Sequence, residues 1–312
     1  MRIVFLGTPE FAVPSLERAF AAGHDVAAVL TQPDRPKGRG RQLAAPPVKQ
    51  SALRLGLAVH QPERIRTPEV IELLRGFRPD AMVVVGYGKI IPQAVIDIPR
   101  LGIVNVHASL LPRYRGAAPV QWAVACGESL TGVTTMRIDA GLDTGDILLQ
   151  RETTIGAEET ALELSPRLAA MGAELLVETL AGLERGAIVP RPQDPVQATF
   201  APVLKKEDGR IDWTRPAVQI ANRIRGFLPW PRCYSHLRGK TIEIWRARAV
   251  AAAAGEPGSV HPAGGRIVVS CGEGSALEIL EVQMEGRNRM DAAAFQNGYR
   301  LLENELLRET IQ

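Results

Sequence analysis

At 312 residues the chain is longer than a single hydrophobic core usually supports, so two domains are expected. Hydrophobic residues at 46% and charged residues at 23% exclude a disordered, collagen-like or coiled-coil chain, and no run of 18 apolar residues could cross a membrane as a helix. A net charge of +3 is too small to argue for nucleic acid by itself, so such a partner has to be read from where the basic residues cluster.

Arg2 to Gly7 predicts a strand and lacks the basic start and cleavage site of a secretion leader, so a cytoplasmic protein is expected. Pro9 to Ala22 predicts a helix, with Thr8 as N-cap and Pro9 as its first residue. Strands follow at Asp25 to Thr31, Ala81 to Gly86 and Gly102 to His107, with a second helix from Pro68 to Phe77 capped by Thr67. This alternation predicts an α/β domain with a mostly parallel, Rossmann-like sheet. Gly7 stands where a dinucleotide fingerprint would begin, but Pro9 and Ala12 replace its second and third glycines, so close approach of a pyrophosphate is not provided for. Leu130 to Asp139 and Asp146 to Gln150 predict late strands around a glycine-bearing loop, and Glu159 to Leu183 predicts a long helix closing a domain over residues 1–187.

Pro190, Pro192, Pro195 and Pro202 mark residues 188–205 as an extended linker. Beyond it, a helix from Pro216 to Arg225 precedes β-type runs at Cys233 to Leu237, Thr241 to Val250, Arg266 to Cys271 and Ala276 to Met284. Their glycine-containing turns predict a small, OB-like β-barrel over residues 206–312. Trp213, Trp230 and Trp245 read as barrel core, and His24, His60, His236 and His261 as surface or turn residues. Cys126, Cys233 and Cys271 are odd in number and unclustered with histidine, so neither a disulfide framework nor a metal site is expected.

The chemistry concentrates where the fourth strand ends. In Ile103-Val-Asn105-Val-His107 the side chains alternate faces, so Asn105 and His107 point the same way at the carboxyl end of a strand, where open α/β sheets place ligands. A carboxamide beside an imidazole can hold an oxygen that gains charge during acyl transfer, and the imidazole can also move a proton. Alone, an Asn-x-His is more often a turn residue beside a core histidine. Ser109 to Gly116 is broken by Pro112 and should wrap over the sheet end, with its backbone available to a flat heterocycle. Asp139, Asp143 and Asp146 lie among glycines, and one of these carboxylates could orient the imidazole.

Taken together, Asn105-Val-His107, Ser109-Leu-Leu-Pro-Arg-Tyr-Arg-Gly116 and Gly141-Leu-Asp143-Thr-Gly145 resemble the folate-dependent formyltransferase family. Phe5 to Phe11, Thr31 to Gly40, Pro47-Val-Lys49, Gly116 to Pro119 and Trp230-Pro231 look like its tRNA-directed members, although Pro46 replaces a serine found in some of them. The resemblance implies a formyltransferase catalytic domain and a tRNA-binding barrel, with 10-formyltetrahydrofolate as donor and the α-amine of methionyl initiator tRNA as acceptor. It also implies Asn105, His107 and Asp143 as the catalytic set and Ser109, Leu110, Leu111 and Pro112 as folate contacts. A monomer without metal or membrane contact is expected.

Two basic segments bear on the acceptor. Arg35, Lys37, Arg39, Arg41 and Lys49 face a single acid, Asp34, in a glycine-punctuated loop, and the resemblance makes Arg35, Lys37, Arg39 and Arg41 tRNA contacts, Arg39 foremost. Residues 206–248 hold ten Lys or Arg against four Asp or Glu, with Lys206 and Arg225 the candidate contacts there. A sugar nucleotide or glycinamide ribonucleotide as acceptor, or plain hydrolysis of the donor, would leave the basic loop without a purpose. A tRNA-binding factor without activity would not need Asn105, His107 and Asp143, and a nicotinamide oxidoreductase would need the missing glycines.

Overall fold

In this computed structural model residues 1–37, 42–251 and 255–308 are described. Packing divides the chain into two compact units, one of residues 1–116, 130–154 and 165–201, the other of residues 117–129, 155–164 and 202–312.

The elements of the first part run β1 (Arg2–Gly7), α1 (Val13–Ala21), β2 (Asp25–Leu30), β3 (Arg35–Lys37), β4 (Gln42–Ala44), α2 (Pro47–Arg54), β5 (Val59–His60), α3 (Pro68–Gly76), β6 (Ala81–Val85), α4 (Gln93–Ile96) and β7 (Ile103–His107). After them come β8 (Arg115–Gly116), α5 (Pro119–Ala125), β9 (Leu130–Arg137), β10 (Ile147–Thr154), α6 (Ala161–Glu184) and β11 (Phe200–Ala201). The first unit is a seven-stranded sheet in the order β10-β9-β7-β6-β1-β2-β5. Its five central and distal strands are parallel, whereas β9 pairs antiparallel with β7 and β10 with β9, so the sheet is mostly parallel, as expected.

The sheet is buried on both faces, and period-two alternation sorts its side chains. Val4, Leu6, Met82, Val84 and Ile103 share a core with Leu74 of α3 and Val95 of α4. Val106 points the other way, where a Cβ on Gly172 of α6 would come within 2.7 Å of it. A bare glycine therefore lets α6 lie close against β7, and Asn105 and His107 are directed to the opposite face.

Local details differ from the expectation. Thr8 does not cap α1: a 3-10 turn at Glu10–Ala12 precedes the helix, and Thr8 Oγ1 donates to the Tyr87 carbonyl at 3.1 Å. Thr67 holds the N-cap position of α3, but its side chain does not bond the helix backbone. The stretch read as an extended linker bridges Arg191 to Ile147 and pairs β11 with β8 in parallel, so residues up to 201 pack as part of the first unit.

The second unit adds α7 (Ala217–Gly226), β12 (Cys233–Leu237), β13 (Lys240–Val250), β14 (Ser259–Ala263), β15 (Arg266–Ser270), β16 (Ala276–Met284), β17 (Met290–Asp291), α8 (Ala292–Tyr299) and β18 (Glu305–Leu306). The antiparallel order β12-β13-β16-β15-β14-β18, with a bridge from His236 to Arg308, makes a nearly closed barrel. Its core includes Ile242, Ile244, Val269, Leu277 and Trp213, whose indole N–H reaches the Ser235 hydroxyl at 3.0 Å. Only Trp213 meets the expectation of a core tryptophan. Trp230 is half exposed, and Trp245 is part-buried, with the guanidinium groups of Arg232 and Arg289 each 5.1 Å from its ring centroid. Helix α5 packs on α7, where a Cβ on Gly226 would stand 2.5 Å from the Ala125 nitrogen.

Candidate active site

Asn105 and His107 close β7, with 9% and 6% of their surface exposed. His107 Nε2 lies 2.9 Å from the Tyr114 carbonyl, which can only accept, so Nε2 carries the hydrogen. Nδ1 is then the nitrogen left to exchange a proton, and it faces Asp143 Oδ2 at 3.7 Å. Asn105 Nδ2 is 3.5 Å from Asp143 Oδ1. The three residues expected to form the reaction centre thus converge, although Asp143 lies 38 positions beyond Asn105.

Of the three loop carboxylates, the geometry selects Asp143. Asp139 is occupied in building the loop, accepting from the Gly141 amide at 3.0 Å and from Thr144 Oγ1 at 2.7 Å. A Cβ on Gly145 would fall 2.0 Å from the Arg137 carbonyl, so the turn needs glycine there. Asp143 adopts a left-handed backbone (φ 51°), uncommon for a residue other than glycine. That conformation turns its carboxylate toward His107 and toward the Gly116 amide, which donates to Oδ2 at 2.8 Å.

The segment after β7 is held from beneath by residues that sequence reasoning missed. Thr134 Oγ1 donates to the Ser109 carbonyl at 2.7 Å and accepts from the Leu111 amide at 3.1 Å. Gln150 Nε2 donates to the Leu111 carbonyl at 2.9 Å. The Ser109 hydroxyl turns inward onto the Arg113 carbonyl at 2.6 Å, and both Ser109 and Leu111 are buried. These backbone groups are therefore engaged within the protein, and what Leu110 and Pro112 offer outward is shape more than hydrogen bonds. Thr134→Val should strand two buried backbone groups and lower the unfolding free energy by about 2 kcal/mol. Urea denaturation measures this; an unchanged midpoint would contradict the role given to Thr134.

The root of the basic loop is built firmly. Lys49 Nζ donates to both oxygens of Asp34 at 2.8 and 2.7 Å, and Gln61 donates to Asp34 Oδ1 and to the Gln32 carbonyl. The bonds from Lys49 and Gln61 hold the Asp34 carboxyl below the usual range. Its contribution to stability is therefore complete above the unfolded value and lost as pH falls through the lower folded one, so the root stays anchored at neutral pH. Arg35 is exposed on β3. Arg39, Arg41 and the side chain of Lys37 lie outside the described residues.

In the second unit the basic residues are less available than their number suggests. Arg215, Arg232, Arg238, Arg246 and Arg248 are ion-paired with acids. Arg225 lies along a chain turn, donating to the Gly156 and Glu159 carbonyls at 3.3 and 2.8 Å and to Asn222 at 3.0 Å. Lys206 is exposed. Burial pushes the Cys233 and Cys271 thiols up to about 12, so neither serves as a nucleophile at neutral pH. Among the described residues there is no group of three or more metal-ligating side chains, and no helix long and apolar enough to cross a membrane.

A carboxamide, an imidazole and a carboxylate gathered at the end of one strand of a mostly parallel sheet can hold a developing oxyanion and move a proton, the chemistry of an acyl-transfer enzyme. Comparison with known proteins narrows this. Residues 1–180 match the formyl transferase family and residues 203–300 its C-terminal domain. Methionyl-tRNA formyltransferase of Solibacter usitatus is 64% identical over 99% of both chains, and that of Koribacter versatilis 60% identical over 96% of both. Among solved structures, an N-formyltransferase from Helicobacter canadensis in complex with folinic acid and dTDP-3-aminofucose superposes with a TM-score of 0.67 at 18% identity, covering 89% of this chain and 98% of that one. Glycinamide ribonucleotide transformylase 1 from Symbiobacterium toebii has a TM-score of 0.52 at 21% identity, over 62% of this chain and 94% of its own. These likenesses carry the fold alone. The chain belongs to the formyl transferase family, among its methionyl-tRNA formyltransferases.

Proposed function

We propose that the protein transfers the formyl group of 10-formyltetrahydrofolate to the α-amine of methionyl initiator tRNA, giving N-formylmethionyl-tRNA, and that Asn105, His107 and Asp143 carry out the transfer. The observation that carries this reading is the convergence of those three side chains at the carboxyl end of β7, in a chain 64% identical to a methionyl-tRNA formyltransferase. The donor's ring system lies along Ser109, Leu110, Leu111 and Pro112, whose backbone is held in shape by Thr134 and Gln150.

The amine attacks the formyl carbon, and the carbonyl oxygen becomes an oxyanion. Asn105 Nδ2 donates to it. Because His107 Nε2 is bonded to the Tyr114 carbonyl, Nδ1 is the nitrogen that faces the reaction, protonated to hold the oxyanion or free to take the proton of the attacking amine. Asp143, opposite Nδ1, supports the charged imidazole, its carboxylate held in place by the bond from the Gly116 amide. Collapse of the tetrahedral intermediate breaks the bond to N10 of the folate, which takes up a proton as it leaves.

The acceptor is held by Arg35, Lys37, Arg39 and Arg41 of the basic loop and by Lys206 of the second unit. The catalytic domain of this reading spans residues 1–187 and the tRNA-binding domain residues 206–312, acting as a monomer in the cytoplasm. Arg225 leaves the set of contacts, since its guanidinium is committed within the protein. Arg225→Met should therefore lower thermal stability with tRNA affinity unchanged. Arg35→Ala and Lys206→Ala should each weaken tRNA binding and reduce the salt slope of log Kd by about 1, as expected for one phosphate contact. Titrations between about 50 and 200 mM salt separate the two behaviours; a slope unaffected by either alanine would remove that residue from the interface.

The function itself is tested by supplying formylated folate with one acceptor at a time: charged initiator tRNA, charged elongator tRNA, free methionine or an amino-sugar nucleotide. Formylation confined to the initiator is expected. Formylation of free methionine or of the sugar nucleotide, with none on tRNA, would refute the assignment.

A further inference from the structure

We infer that Gln193 is a positioning residue for formyl transfer, holding the Asp143 loop from a segment 50 residues further along the chain. This rests on the role proposed above for Asp143. Gln193 Nε2 donates to the main-chain carbonyls of Asp143 at 2.9 Å and Gly145 at 2.7 Å. Its Oε1 accepts from Arg115 Nε at 3.0 Å and Nη2 at 2.7 Å. One end of the amide meets only acceptors and the other only donors, so the orientation of Gln193 is fixed by its partners.

The four bonds join the two halves of the reaction centre. Arg115 is buried, and its chain neighbour Gly116 donates to Asp143 Oδ2 at 2.8 Å. Through Gln193, the strand that grips the Asp143 carboxylate also grips the main chain on both sides of Thr144. The same late segment reaches the histidine side. Thr199 Oγ1 accepts from the Tyr114 amide at 2.8 Å, and the Thr199 carbonyl accepts from the Arg115 amide at 2.8 Å, which fixes the peptide whose carbonyl holds His107 Nε2. Asp143 occupies a left-handed backbone that its surroundings must hold in place. Without the Gln193 donor the loop can move, and a displacement of about 1 Å between reacting groups costs on the order of 10²-fold in rate.

A residue that only stabilised the fold would affect folding, whereas a positioning residue affects turnover while substrates still bind. Gln193→Glu separates the two cases. It keeps the shape of the side chain and turns the contact with Arg115 into an ion pair, yet sets an oxygen against the Asp143 and Gly145 carbonyls. In the full-length protein with 10-formyltetrahydrofolate and charged initiator tRNA, kcat of Gln193→Glu should fall at least about 10-fold, with both KM values changed less than about 3-fold and the melting temperature retained. Gln193→Leu, which loses both contacts, should show the same split between kcat and KM. Asp143→Ala, measured in parallel, should be more impaired than either. Gln193 variants with wild-type kcat beside an inactive Asp143→Ala would overturn the positioning role alone. Wild-type kcat in Asp143→Ala would overturn the reading of the site and the role of Gln193 with it.

Discussion

Asn105→Ala, His107→Ala and Asp143→Ala are each expected to lower turnover at saturating substrates by about 10²-fold to 10³-fold, the range for loss of one preorganised donor at a developing oxyanion. The geometry makes the three losses unequal in kind. Asn105 presents its amide directly and, among the described residues, has only the 3.5 Å contact with Asp143 to orient its side chain, so its loss should remove a donor and little else. His107 is fixed by the Tyr114 carbonyl, and in the proposed mechanism its loss removes both a donor and the group that moves the proton. In the proposed mechanism Asp143 acts through the imidazole, so the double variant His107→Ala/Asp143→Ala should be scarcely slower than His107→Ala alone. Single-turnover rates for the set measure this. Additive losses in the double variant would show that Asp143 acts independently of the histidine.

Gly116→Ala should be nearly as damaging by another route. Gly116 has φ 120°, and a Cβ there would stand 2.6 Å from the Ala201 carbonyl oxygen, a main-chain atom of β11 that cannot turn aside. Relieving the clash separates β8 from β11 and carries the Gly116 amide away from Asp143 Oδ2. The expected cost is about 3 kcal/mol of stability, together with a fall in turnover that persists well below the melting temperature. Calorimetry and activity measured on one preparation would test both parts; wild-type activity in a folded variant would show that the bond from Gly116 to Asp143 does not matter.

Why some of this was legible in the sequence and some was not follows from the range of each interaction. Asn105 and His107 were readable because a strand repeats every two residues, so a shared face is a matter of spacing. The same period holds for parallel and antiparallel strands, and nothing in Leu130 to Arg137 announces that β9 runs antiparallel to β7. Residue types alone left Asp143 as one of three carboxylates, and the family resemblance singled it out; the Gly141 and Thr144 contacts of Asp139 give the physical reason, since that acid builds the loop while Asp143 faces the histidine. The hold on His107 is a carbonyl of Tyr114, and a main-chain group leaves no trace in residue identity. Gln193 lies among prolines in a stretch without period, and its partners are 48 to 78 residues away.

The basic composition of residues 206–248 overstated the available charge for a related reason. Arg248 stands in register with Glu278 across β13 and β16, and Glu278 also accepts from Arg266 on β15. Such cross-strand neutralisation depends on register, which a count of charges along the chain does not contain. Arg225 reads as a free cation in a helix until the carbonyls of Gly156 and Glu159 are seen beside it.

The central claim, that Asn105, His107 and Asp143 form the formyl-transfer site, is tested most directly by a crystal structure of the protein with a formylated tetrahydrofolate. The account predicts the ring system along Leu110 to Pro112 and the formyl oxygen about 3 Å from Asn105 Nδ2, with the carbonyl carbon open to an amine on the side of His107 Nδ1. A formyl group held away from β7, with Asn105 and His107 facing only solvent or protein, would contradict it.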